Sequence, residues 1–147
     1  MNSMNKDLKA NIYTLPALAL TALTAAGSGD NTAIEGTSID LTALPTHAQS
    51  VCFVLLAKAT LTADKTLVVT GKVQYSSNGT DWTDAASAAT LITITATGSA
   101  SARLGFDLTK GSKYVRVYVT PDLSASGTDT ASVWGAAVFG GLTEVPQ

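Results

Sequence analysis

Apolar residues recur at every second position along most of the chain, which is the spacing of β-strands that bury one face. In the segment 67–75, the odd positions are apolar except Gly71, and three of the four even positions are polar. Similar rows occur at 37–41, 51–57, 90–96, 102–108, 113–120 and 131–139. About eight strands separated by turns predict an all-β sandwich or barrel, and we expect a two-sheet antiparallel sandwich.

Two local signals refine the strand pattern. Asn78-Gly79 suits a two-residue type I′ turn, in which both central residues need a positive φ. A hairpin closed on this turn places Tyr75 opposite Trp82, so that the two rings stack on one face. Further along, Pro121 is expected to end the strand at 113–120, because proline cannot donate a ladder hydrogen bond.

The segment 51–57 (VCFVLLA) differs from the other rows because it is apolar at every position. This pattern favours a central strand that is covered on both sides, or one whose second side faces a partner. Gly71 interrupts the row at 67–75 and predicts a bulge there.

We divide the chain into an extended N-terminal arm at 1–13, a β-sandwich domain at 14–140 and a C-terminal tail at 141–147. The stretch Leu15–Thr24 has leucines and alanines at a spacing that fits a helix or a strand. The apolar run at 15–26 is shorter than the about 20 residues of a membrane-spanning helix. We therefore expect it to belong to the mature domain, as neither a cleaved leader nor a membrane anchor.

The composition disfavours nucleic acid as a partner. Charged residues make up 14% of the chain, against roughly 25% in an average protein, and the net charge is −2. No run of Lys or Arg is present to neutralise phosphates. A surface rich in Ala, Thr, Ser and Gly costs little to desolvate, which favours packing against other proteins.

The residues that usually carry catalysis or hold metals are scarce. His47 is the only histidine and Cys52 the only cysteine, so neither a zinc site nor an internal disulfide is expected. The aspartates lie mostly in turns and at strand ends, where capping explains them. We expect no enzymatic activity, no cofactor and no metal.

Three stretches together resemble capsid decoration (cement) proteins of tailed bacteriophages. They are GKVQYSSNGTDWTDA (71–85), KYVRVYVTP (113–121) and ASVWGAAVFGGLTEVP (131–146), and the block THAQSVCFVLLAKATL (46–61) accompanies them. The resemblance implies a jelly-roll-like sandwich on the outer surface of the virion capsid. It further implies a homo-oligomer, with a trimer favoured, that bridges subunits of the major capsid protein and stabilises the shell.

An arm that becomes ordered on binding loses conformational entropy and must regain it through burial. Apolar residues in the two terminal segments, or directly next to the arm, are therefore the candidate partner contacts. They are Ile12, Tyr13, Leu15, Leu142 and Val145.

Two alternatives stay open from the sequence. The chain could form another virion part, such as a tail, baseplate or head-fibre component. It could also be a carbohydrate-binding sandwich that uses Trp82, Tyr75 or Trp134 as a stacking platform. The expected hairpin register favours a core position for Tyr75 and Trp82, which weakens this second alternative.

Overall fold

A computed structural model describes residues 8–125 and 127–142. The strands are β1 (Tyr13–Thr24), β2 (Ile34–Glu35), β3 (Ile39–Asp40), β4 (Ser50–Thr60), β5 (Leu67–Ser76), β6 (Thr83–Asp84), β7 (Ala89–Ile94), β8 (Gly98–Asp107), β9 (Tyr114–Leu123) and β10 (Thr130–Gly140). One helical turn, α1 (Leu8–Asn11), precedes them. Two 3-10 helices, Leu41–Ala43 and Leu108–Lys110, follow β3 and β8.

The strands form two antiparallel sheets, which confirms the all-β sandwich expected from the sequence. Sheet A has the order β1-β10-β4-β8. Sheet B has the order β2-β9-β5-β6, with β3 also alongside β9 and β7 also alongside β5. No helix among the described residues is long and apolar enough to cross a membrane.

The core lies between the sheets and is filled by the inward-facing residue of each alternating pair. Phe53, Leu55 and Phe139 of sheet A are almost fully buried, as are Val69 and Val117 of sheet B. The period-two rows of the sequence therefore correspond to the inner faces of the sheets.

The ambiguous stretch after the arm is a strand. β1 pairs with β10 from Tyr13 to Thr24, with register shifts on both sides of Leu18. Alanine and leucine favour helices in isolation, but tertiary pairing overrides this weak preference. Within the expected arm, Leu8–Asn11 form a helical turn and Tyr13 already belongs to β1.

The strand end predicted at Pro121 is wrong, because β9 continues to Leu123. Pro121 lies opposite Val69 of β5, and its carbonyl accepts a hydrogen bond from Asn31 N on the other side. In an antiparallel strand the N–H and C=O of one residue point the same way. The N–H that proline lacks would therefore point away from β5, and no bond of that ladder is lost.

The tight turn predicted at Asn78-Gly79 is also wrong. β5 ends at Ser76, and Tyr75 lies opposite Thr83 rather than Trp82. Of the two turn residues, Gly79 has a positive φ, of 79°, and Asn78 does not. The Asn78 side chain instead accepts hydrogen bonds from the backbone N–H groups of Thr80 and Asp81, at 2.9 and 2.8 Å. This local capping competes with the two-residue turn and widens the loop.

The widened loop separates the two aromatic rings that the sequence analysis paired. Tyr75 stacks on Phe106 of sheet A at a centroid distance of 5.6 Å. Trp82 lies instead on the outside of sheet B, above Arg116. The bulge predicted at Gly71 is not found in β5, which pairs with β9 without interruption. The neighbouring strand β7 carries the irregularity instead, because Leu91 is an extra residue opposite the Val69–Thr70 step. A Cβ at Gly71 would lie 2.7 Å from Leu91 Cδ1, so the glycine leaves room for that side chain.

Candidate functional site

The titratable residues that the structure describes offer no metal-binding group. No group of three or more His, Cys, Asp or Glu side chains among them could hold a metal ion. His47 lies exposed in the loop before β4. Asp40 and Asp107 each accept hydrogen bonds from the threonine two residues later, which lowers the pKa of both carboxyls. These carboxylates cap the two 3-10 helices.

The outer face of sheet A is apolar at its centre. We define it by the outward-facing residues of its two central strands, which are Cys52, Val54 and Leu56 of β4 and Ser132, Trp134, Ala136 and Val138 of β10. These side chains meet in cross-strand pairs, including Leu56 with Trp134 and Val54 with Ala136. All seven are only half-buried.

The border of this face carries positive charge on one side. Arg103 of β8 lies opposite Val54, and Lys58 is the next outward residue of β4 after Leu56. No outward-facing residue of β4 or β10 is acidic. On the same border, Asp107 of β8 faces outward opposite Ser50, so Lys58 and Arg103 leave this border with a net positive charge. On the other side, Leu20 lies in the part of β1 alongside Trp134 and is 71% exposed. The face is therefore apolar with a cationic margin.

The outer face of sheet B is a network of paired charges centred on Arg116 of β9. The guanidinium donates two hydrogen bonds to the Glu35 carboxylate, at 2.9 and 3.2 Å. Its Nε donates to Gln74 Oε1 at 2.8 Å. Gln74 Nε2 donates to Asp84 Oδ1 at 2.8 Å, and Lys72 Nζ donates to Asp84 Oδ2 at 2.6 Å. The bonds from Lys72 and Gln74 lower the pKa of Asp84.

Aromatic rings cover the cations of this network. The Arg116 Cζ lies 4.2 Å from the centroid of the Trp82 ring. Lys72 Nζ lies 5.0 Å from the centroid of the Tyr118 ring. Such contacts satisfy cations that would otherwise be costly to desolvate. The polar groups of the outer face of sheet B are thus largely used within the chain.

The candidate partner contacts occupy different environments. Tyr13, Leu15 and Leu142 pack partly against the domain's own core. Ile12 is half-buried. Val145 lies outside the described residues. Their role as partner contacts stays a prediction.

The sequence analysis identified part of the outer face of sheet A and none of the network on sheet B. The doubly apolar segment 51–57 signalled the outer face of sheet A, although Trp134 and Val138 were not assigned to it. The network around Arg116 was missed. The sequence pattern that could have indicated it is the polar residue at every second position of two neighbouring strands. These residues are Lys72 and Gln74 in β5 and Arg116 in β9, and the pairing of the strands brings them to one face.

Similarity to known proteins is restricted to structure. No protein-family model matches the chain, and no curated protein sequence matches it. A chain from the structure of infectious bursal disease virus, Gx strain, superposes with a TM-score of 0.54 at 10% identity, over 87% of this chain and 31% of that one. A mutant VP2 protein of the same virus, in T=1 particles, gives 0.50 at 11% identity over 87% and 31%. The PBSX exported protein XepA gives 0.50 at 16% identity over 100% and 45%.

These similarities define the class of fold. The chain spans less than half the length of each of these three solved chains. At such low identities they show that it shares a jelly-roll-like β-sandwich with proteins of viral particles. The architecture therefore belongs to the jelly-roll-like β-sandwiches.

Proposed function

We propose that this protein is a structural virion protein that binds the outer surface of a bacteriophage capsid and stabilises it by bridging major capsid protein subunits. The observation that carries the proposal is the apolar outer face of sheet A. The viral particle proteins of similar fold support it, as do the stretches that resemble decoration proteins.

An apolar sheet face is suited to permanent contact with protein. The backbone groups of β4 and β10 are already bonded within the sheet, so docking does not need to desolvate unpaired amides. Burial of the remaining exposed area of Val54, Leu56 and Trp134 contributes about 25 cal/mol per Å². Contiguous exposed apolar patches of this kind mark interaction sites on soluble proteins.

The cationic margin specifies the partner more closely. Lys58 and Arg103 would be placed beside acidic groups on the capsid, because complementary charge at the rim of an interface steers association. We therefore expect the rate of binding to fall with rising salt concentration.

We also propose that the protein acts as a homo-oligomer, with a trimer favoured. Several copies held together bind several capsid subunits at once, and this multivalency strengthens attachment without any new contact. Modest contacts at each copy then suffice for stable decoration.

The proposal is tested by titrating the protein onto expanded capsids that lack it and measuring bound protein by co-sedimentation. Val54→Lys places a charge in the centre of the apolar face and should weaken binding by about a hundredfold or more. Val68→Lys is the matched control, because Val68 is a half-buried valine on the outer face of sheet B. Equal losses in both variants, or no saturable binding of the unmodified protein, would contradict the proposal.

A second candidate function, carbohydrate binding, is favoured by the position of Trp82. The ring lies outside the core over the Arg116 guanidinium, and the Glu35 carboxylate bonded to that guanidinium is 62% exposed. Asp84, two residues after Trp82, is 44% exposed. A ring beside carboxylates can stack on a sugar and bond its hydroxyls. A glycan array tests this candidate. Binding to a glycan that is lost in Trp82→Ala and retained in Trp134→Ala would support carbohydrate binding. An array on which the protein binds no glycan would contradict it.

Another virion part, such as a tail, baseplate or head fibre, would use the same fold and the same apolar face. Imaging of the intact particle distinguishes these possibilities, because decoration requires density over the capsid shell. Density confined to the tail would replace the capsid proposal with this one.

A further inference from the structure

Strand β8 lies at one edge of sheet A, and β4 is its only hydrogen-bonded neighbour among the described strands. The ladder that joins β8 to β4 has no register shift, and β8 contains no proline. The opposite edge strand, β1, contains Pro16 and has register shifts on both sides of Leu18. Prolines and bulges hinder the addition of another strand to a sheet edge. The free edge of β8 lacks these features and is therefore open to pairing.

The backbone groups on this free edge belong to residues whose side chains face outward. Leu108 N, just after β8, donates to the Gln49 carbonyl, just before β4, at 2.9 Å. Successive residues of a strand direct their N–H and C=O groups to opposite sides, so the even-numbered residues of β8 point to β4. The bond from Ala25 N to the Asp129 carbonyl gives the same alternation when it is followed across the sheet. The residues that direct backbone groups to the free edge, all of them exposed, are therefore Ser99, Ser101, Arg103, Gly105 and Asp107.

Two charged side chains on this edge have unused bonding capacity. Within the described part of the chain, Arg103 makes no hydrogen bond and no ion pair. Asp107 accepts two hydrogen bonds from Thr109, both through Oδ1, and its Oδ2 accepts none from the described residues. Arg103 and Asp107 face the same side roughly 13 Å apart along the strand, which is too far for an ion pair within one chain. The edge therefore carries one cation and one anion that need partners from elsewhere.

Gly105 lies midway between these two charges. A Cβ at this position would meet no atom within 4 Å, and the φ of Gly105 is not positive. Neither the packing nor the backbone of the chain itself therefore requires a glycine here. A glycine inside a strand weakens the strand, and it often marks a place where another backbone approaches closely. The midpoint of the charged part of β8 is thus open to a second strand.

We propose that β8 pairs with β8 of a second copy of this chain, in antiparallel orientation, about a twofold axis at Gly105. This register places Arg103 opposite Asp107 of the second copy, and the symmetry repeats the same ion pair on the other side of the axis. On the inner face, Leu104 lies opposite Phe106 of the second copy. The odd-numbered residues of the two strands exchange about six backbone hydrogen bonds.

Charge selects this register over its neighbours. Registers centred on Arg103 or on Asp107 would place like charges directly opposite each other, which is destabilising. In the register centred on Gly105, opposite charges meet twice. The guanidinium has more N–H groups than one carboxylate oxygen accepts, so Arg103 keeps donors for the cationic margin of the apolar face.

The twofold axis is perpendicular to sheet A, so the two sheets become continuous and their apolar outer faces lie on the same side. The pair is a twofold contact, so in a trimeric protein it would join one trimer to another. The inference goes beyond the proposed function and does not rest on it, because the pair needs no capsid. A ladder of this length is shorter than a standard interface, and we expect a weak pair that covalent capture can detect.

Disulfide capture in a Cys52→Ser chain tests the pair, with diamide as the oxidant of the two thiols. Gly105→Cys places the thiols at the axis, where the Cα atoms of a hydrogen-bonded pair lie about 5.5 Å apart, within the range of a disulfide. Ser101→Cys is the matched control, because Ser101 is exposed on the same edge and its two copies would lie roughly 26 Å apart. Gly105→Cys should form covalent dimers at least about tenfold faster than Ser101→Cys on non-reducing gels.

An exchange of charges tests the register, in chains that also carry Cys52→Ser and Gly105→Cys. Arg103→Glu alone and Asp107→Arg alone each place like charges opposite each other, and each should slow capture by about tenfold or more. An equal mixture of the two variants restores opposite charges on both sides of the axis and should form mixed dimers at the original rate.

Two results would overturn the proposal. Capture of Gly105→Cys no faster than that of Ser101→Cys would show that the two strands do not meet at this axis. A mixture of the charge variants that is captured no faster than either variant alone would show that Arg103 and Asp107 do not pair between copies.

Discussion

On the outer face of sheet B, Arg116 is bonded to a carboxylate and an amide and covered by an indole, and Lys72 is paired with Asp84. The central strands of sheet A instead direct Val54, Leu56 and Trp134 outward, where all three stay half-buried. Both faces arise from the same alternation of residues along β-strands. The contrast shows that the polar groups on the outer face of sheet B already have partners within the chain, so this face can stay in contact with water. The outer face of sheet A is instead suited to burial by a partner.

Replacing one arginine on each outer face sharpens this comparison most. Arg116→Met leaves buried Gln74 and the Glu35 carboxylate without their shared donor, and should cost about 2 kcal/mol of unfolding free energy. Arg103→Met on the border of sheet A should change it by less than about 0.5 kcal/mol. Urea denaturation of both variants measures the difference. Similar costs would show that the two faces are equally integrated into the fold.

Substitutions in the loop that carries Trp82 are expected to change stability less. Asn78→Ala removes the oxygen that accepts from the N–H groups of Thr80 and Asp81, and should destabilise the protein by about 1 kcal/mol. Asp81→Ala removes only the bond that the Asn78 amide donates to the Asp81 carboxylate at 2.6 Å, and should cost less. The same melting temperature for both variants would contradict the side-chain capping of this loop.

The smallest effect on stability is expected when the pH is lowered. Because Lys72 and Gln74 lower the pKa of Asp84 below its ordinary 3.8, this carboxylate contributes stability above that pH. The contribution is lost as the pH falls through the lowered pKa. Asp84→Asn should therefore make unfolding free energy less dependent on pH below about 4. Unfolding titrations of both proteins at pH 2 to 5 measure this, and unchanged slopes would count against the ion pair.

The fold was largely predictable because burial enforces the alternation of strands. The row at 67–75 could be assigned from its own residues, as could Ile92 and Ile94. The loop after β5 could not, because its shape depends on whether the Asn78 side chain bonds Thr80 and Asp81. That competition between side chain and backbone is not encoded in a two-residue turn pattern.

The candidate surface was only half predictable. The sequence indicated that 51–57 was apolar on both sides, but a second sheet layer and an external partner would give the same pattern. Sheet order decides between them, since Trp134 joins β4 only through pairing of segments nearly eighty residues apart. The bond between Arg116 and Glu35 spans 81 residues and likewise needs the fold.

Cys52 allows the central claim to be measured directly, because this sole cysteine lies within the apolar face, opposite Val138, and is half-exposed. Its rate of alkylation by a maleimide is compared in free protein and in protein bound to capsids. The control is a Cys52→Ser chain carrying Val68→Cys on sheet B. The account predicts at least about tenfold slower labelling of Cys52 on the capsid, with Val68→Cys unaffected. Protection of the sheet B cysteine alone, with Cys52 labelled as fast as in free protein, would contradict it.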